Sequence, residues 1–62
     1  MEPRPLADRL LTVKEVARYL GLHEKTVYAW VSRRELPSIR LGRRVRFVPD
    51  DIIRWVSARK EG

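Results

Sequence analysis

The spacing of apolar positions changes twice along the chain, and those changes divide it into elements. Val13, Val16, Ala17 and Leu20 recur at i, i+3, i+4 and i+7, which is one buried stripe of a helix. Thr12 precedes that stripe and Glu15 follows three residues later. This is the pattern of a capping box, with Leu11 and Val16 placed to staple the helix start. Gly21 is expected to end the helix in the left-handed conformation. A second helix starts at His23 or Glu24 and is expected to run to about Arg34. Val27, Trp30 and Val31 point inward along it, while Lys25, Tyr28, Ala29, Ser32 and Arg33 fall on the opposite face. Two helices joined by a tight Gly-containing turn form a helix-turn-helix.

Leu36-Pro37 stops the second helix, and the period then shortens to two. Ile39, Leu41, Val45 and Phe47 are apolar, with Arg40 and Arg46 between them. A hairpin fits, and parity bears on its register. A two-residue loop, Gly42-Arg43, sets Leu41 on the same face as Arg44. A three-residue loop, Gly42 to Arg44, sets Leu41 opposite Val45 and Ile39 opposite Phe47. Strand alternation favours the second register, which makes Arg40 and Arg46 a cross-strand pair. Two facing cations repel, so that face would be more comfortable against an anion. Pro49, Asp50 and Asp51 open a last helix, since proline suits a first turn and acids suit the positive dipole end. Ile52, Trp55 and Val56 form its inner stripe and Ile53 flanks it. Trp30 and Trp55 are expected in the core, because a chain this small needs large side chains to build one.

The length of 62 residues allows one domain and leaves little room for a catalytic cleft or a ligand pocket. Residues 1–10 read as a flexible N-terminal arm, with Pro3 and Pro5 favouring extended backbone. Leu10 and Leu11 dock where the chain enters the domain, which spans residues 11–60. The arm has no apolar core of a signal peptide, and no apolar run approaches a membrane span. There is no cysteine and one histidine, so no metal centre, cofactor or catalytic residue is expected.

Charge adds the chemistry. The net charge is +6 and the isoelectric point about 10.8, in the range typical of nucleic-acid-binding domains. Six arginines lie between Arg33 and Arg46, against the single acid Glu35. Guanidinium groups match phosphate oxygens in a bidentate fork. Arg40, Arg43, Arg44 and Arg46 form the hairpin's basic surface. Arg43 or Arg44 is expected to reach a minor groove or its flanking phosphates, and Arg40 and Arg46 the backbone. Arg33 is a phosphate candidate. Arg34 falls toward the inner side, in reach of Glu35 or Asp50. Lys25 and Thr26 lie in the first turn of the second helix, the end that usually meets base edges. Tyr28 can set its hydroxyl on a phosphate or its ring on a thymine methyl. His23 starts the helix and can donate to phosphate. Arg54 and Arg59 are helix surface.

The runs L-T-V-K-E-V-A-R-Y-L-G-L-H-E-K-T-V-Y-A-W-V and L-P-S-I-R-L-G-R-R-V-R-F-V-P-D-D-I-I-R-W resemble the small helix-turn-helix domains of the excisionase group. These are relatives of the MerR-type winged helix-turn-helix. The resemblance covers residues 11–56, and its most specific segment is the hairpin with Pro49 after it. His23 stands where that family most often has serine or another small cap. The resemblance implies a mainly α fold of about three helices with a two-stranded β-hairpin wing, a winged helix-turn-helix. It implies a protein that binds double-stranded DNA without enzymatic activity and acts as a recombination directionality factor or a transcription regulator. Expected partners are duplex DNA, with an integrase or recombinase, or further copies in cooperative arrays, and no membrane. The expected setting is cytoplasmic and nucleoid-associated, in a bacterial, archaeal or phage-encoded context. The alternative is an adaptor whose basic face binds an acidic protein. The lack of an exposed apolar patch beyond Tyr28 counts against it.

Overall fold

The computed structural model describes residues 9–60. The first eight residues of the expected arm therefore lie outside the described residues. Three helices and one hairpin follow in order: α1 (Val13–Leu20), α2 (Glu24–Ser32), β1 (Ile39–Leu41), β2 (Arg44–Arg46) and α3 (Pro49–Ala58). The architecture is the mainly helical one with a small two-stranded antiparallel sheet.

Each helix boundary follows from its local chemistry. The Thr12 hydroxyl accepts from the Glu15 N–H at 3.1 Å, and the Thr12 N–H donates to the Glu15 carboxylate at 2.9 Å. The expected capping box is therefore complete. At the far end of α1, Gly21 has φ 72°. Its N–H donates to the Arg18 carbonyl, and the Leu22 N–H donates to that of Ala17, a Schellman closure. The same closure ends α2, but with a different residue at its left-handed position. The Arg34 N–H donates to the Val31 carbonyl at 3.0 Å and the Glu35 N–H to that of Trp30 at 2.8 Å. Arg34 has φ 62°. The helix thus stops at Ser32, two residues before the expected limit. Arg34 does not turn inward toward Glu35 or Asp50; it is exposed, and Arg33 is the residue that pairs with Glu35.

The core draws on every helix and on the two connections that flank the hairpin. Val13, Val16 and Ala17 of α1, Val27 of α2, Leu36, Phe47 and Ile52 of α3 are buried together. Leu36 was legible in the sequence only as a helix breaker, yet it is 2% exposed. Trp30 and Trp55 flank this core and do not fill it. Both are half-buried, with ring centroids 5.5 Å apart. An indole N–H needs an acceptor, and that of Trp55 finds the Glu35 carbonyl at 2.7 Å. The ring is thereby held at the edge of the core, with the Arg59 guanidinium 4.1 Å above it.

The hairpin register differs from the expected one. Ile39 pairs with Arg46, Arg40 with Val45 and Leu41 with Arg44, so the loop is the two-residue Gly42-Arg43. Gly42 has φ 63°, and Arg34 is the one non-glycine residue with positive φ among those described. Positive then negative φ across the loop is the type II′ pattern, which demands glycine first and matches the twist of the strands. Turn chemistry outweighs apolar alternation here, because each strand has only three residues. Arg40 and Arg46 are consequently not partners, and Leu41 stays 51% exposed beside Arg44.

Candidate nucleic-acid interface

The position of the wing is set by a short backbone contact. Leu11 and Phe47 exchange two hydrogen bonds, Leu11 N–H to Phe47 O at 2.8 Å and Phe47 N–H to Leu11 O at 2.9 Å. Phe47 is fully buried immediately after β2, and Leu11 stands two residues before α1. This pair pins the base of the wing beside the first turn of α1. Burial of Val27 against α1 then fixes the roll of α2, which leaves Lys25, Tyr28 and Ser32 exposed.

Helix and wing therefore meet across one shallow cleft of about 320 Å³. Tyr28 and Glu24 of α2 line it, with Arg43, Arg44 and Arg46 of the wing and Lys14 of α1. Four cations face one acid across this space. Tyr28 is 52% exposed at its rim. Tyr28 of α2 and the arginines of the wing thus lie on one side of the molecule, while Lys25 stands outside this cleft.

The remaining expected site residues fall as follows. Lys25 is exposed on the outer face of α2, and Thr26 is half-buried beneath it. His23 is exposed and its side chain makes no capping bond to α2. Its imidazole is therefore left for other partners. Arg33 is exposed at the end of α2 and its Nη1 lies 3.5 Å from Glu35 Oε2. A pair this exposed is worth little, so a phosphate can compete for the guanidinium. Arg43 and Arg44 are exposed at the wing tip.

Arg46 is tethered more firmly than its neighbours. It is half-buried, and its Nη1 donates to the Val45 carbonyl at 2.8 Å. The Glu15 carboxyl is held below its usual range, chiefly by the Thr12 N–H bond, against partial desolvation; Arg9 and Arg46 add to the lowering. Arg46 is thus held against its own strand, within electrostatic reach of the α1 capping box.

Arg40 lies elsewhere. The register sends it to the other face of the ribbon from Arg44 and Arg46. There it lines a second pocket with Arg34, Ser38 and the apolar wall of Val31, Leu36 and Pro37. Sequence reasoning missed two basic residues. Lys14 lies off the apolar stripe of α1, and only the Leu11–Phe47 contact brings the wing alongside it. Arg34 read as inward, and only its left-handed backbone turns it out.

One further surface bears on the adaptor alternative. Tyr19 and Ile53, 61% and 53% exposed, border an apolar groove with Leu11, Pro49 and Ile52. An exposed apolar patch other than Tyr28 therefore exists, contrary to expectation. Tyr19 and Ile53 lie 34 residues apart in the sequence and share this groove only through folding. Among the described residues no group of three or more His, Cys, Asp or Glu could hold a metal ion, and no helix is long and apolar enough to cross a membrane.

A family model described as a helix-turn-helix domain matches residues 10–60. No curated protein and no solved structure matches the chain.

Proposed function

The chain belongs to the helix-turn-helix domain family, and from that premise we propose that it binds duplex DNA with both elements of its cleft. In this reading α2 enters a major groove and presents Lys25 and Tyr28 to base edges, with Thr26 behind them. The wing carries Arg43 and Arg44 to the adjacent minor groove or its phosphates. Arg33, His23 and the tethered Arg46 contact the backbone between. The single observation that carries this reading is the shared cleft, in which Tyr28 of α2 faces Arg43, Arg44 and Arg46 of the wing.

The winged arrangement further supports kinship with excisionases and MerR-type regulators. Their two uses, directing recombination and occupying promoters, share this surface. Footprinting at an attachment site and at a promoter distinguishes them. A single module of this size buries about 600–1,000 Å² on DNA, a small interface for high specificity. Side-by-side binding by several copies, or help from an integrase, would add to it, and the groove between Tyr19 and Ile53 offers an apolar surface for such a contact. Sedimentation on duplexes of increasing length tests this: stoichiometry should rise with length, and a strict 1:1 complex on every length contradicts it.

Selection from a random duplex pool at two salt concentrations tests the main reading. A recovered consensus that survives the higher salt is expected. A pool that stays random at both concentrations counts against base reading by α2.

A further inference from the structure

α1 and α2 end in the same Schellman closure, but with different residues in the left-handed position. Gly21 holds it in α1 at φ 72° and Arg34 holds it in α2 at φ 62°. Glycine adopts that conformation without penalty, while an L-residue with a Cβ is strained in it. An arginine there is an outlier, and outliers of backbone conformation concentrate where a side chain must be aimed.

The side chain that this conformation turns out lines the pocket shared with Arg40 and Ser38. Arg34, Ser38 and Arg40 are all exposed, and no acid lines the pocket. Neither arginine belongs to an ion pair among the described residues. Two like charges brought to one pocket repel unless an anion joins them. Two guanidinium forks and a hydroxyl offer the donors that phosphate oxygens accept. The hairpin register contributes as well. It sends Arg44 and Arg46 to the helix-facing cleft and Arg40 to the opposite face of the ribbon.

We propose that Arg34, Ser38 and Arg40 form a second phosphate site, which holds a DNA backbone phosphate on the far side of the wing from the α2 cleft. This rests on the duplex-binding reading above. The wing then grips with both faces, and the strained closure of α2 serves to aim Arg34.

The test is Arg34→Gly, which suits φ 62° and so should fold. Its melting temperature and its affinity for the selected duplex are measured together across a salt series. The expected result is opposite in sign for the two. Melting rises by about 4–8 °C, the shift that 1 kcal/mol gives a domain of this size. DNA binding weakens, and the slope of log K against log salt flattens by about one unit, as loss of one phosphate contact requires. Arg40→Ala should flatten the slope similarly, and the double variant should lose no more than either single one, because both arginines serve one phosphate. Unchanged affinity and slope in Arg34→Gly overturns the proposal, as does an additive loss in the double variant. A thermal-shift titration with inorganic phosphate distinguishes the source. A phosphate-specific shift that Arg34→Gly abolishes, together with unchanged duplex affinity in that variant, would assign the pocket to a free anion and overturn the DNA contact. Wild type that shows no salt-dependent duplex binding defeats the underlying reading instead, so the two failures are separable.

Discussion

At the scale of single residues, the capping box ties stability to the wing. Thr12 and Glu15 satisfy each other's backbone donors, and Glu15 also lies in the field of Arg46. Thr12→Ala should cost about 1 kcal/mol, the usual loss for an N-cap, read as a fall in the urea midpoint. The pH dependence has a definite sign. The folded-state pKa of Glu15 is depressed below 4.5. Its stabilising contribution is therefore fully present above that value and is lost as pH falls through the lower folded pKa. The gap in urea midpoint between wild type and Glu15→Gln should narrow on acidification over that range. A gap that stays constant as falling pH protonates the Glu15 carboxyl contradicts it. This box was legible in the sequence, because both partners lie within four residues of one another. The role of Lys14 was not, because its neighbours Arg43 and Arg44 are brought to it only by the fold.

At the scale of elements, the helices could be placed from periodicity and caps, and the hairpin could be located but not registered. The strands are too short for alternation to control pairing, and a left-handed Gly42 selects the two-residue turn. Gly42→Ala should therefore destabilise the wing by about 1–2 kcal/mol, since no neighbour lies within 4 Å of an added Cβ and the strain is purely conformational. DNA affinity should fall while helical circular dichroism persists. A wild-type affinity in that variant would show that the turn does not control the wing. Phe47 joins the wing to the core at full burial. Phe47→Ala should cost about 3–5 kcal/mol, against a total of about 3–9 kcal/mol for a chain of this length. Thermal melts should show it largely unfolded or strongly destabilised, whereas Phe47→Leu retains a cooperative transition. Leu36 escaped the sequence reading because a lone leucine between Glu35 and Pro37 has no period to mark its face.

At the scale of the whole molecule, helix order and pairing of Leu11 with Phe47 set α2 and the wing around one basic cleft. The positive charge is distributed over that cleft and the Arg34–Arg40 pocket, while the apolar groove at Tyr19 and Ile53 involves other residues. DNA binding should then divide by residue class. Arg44→Ala should weaken binding to all sequences and flatten the salt slope by about one unit, while Lys25→Ala or Tyr28→Ala should change preference among sequences. The most direct measurement is the salt dependence of wild-type affinity for a duplex, followed by fluorescence anisotropy. With about four to six phosphates neutralised at about −0.9 each, log K should fall against log salt with a slope of about −4 to −5. A slope near zero would mean that the cationic cleft does not meet a polyanion, and would contradict the DNA-binding role.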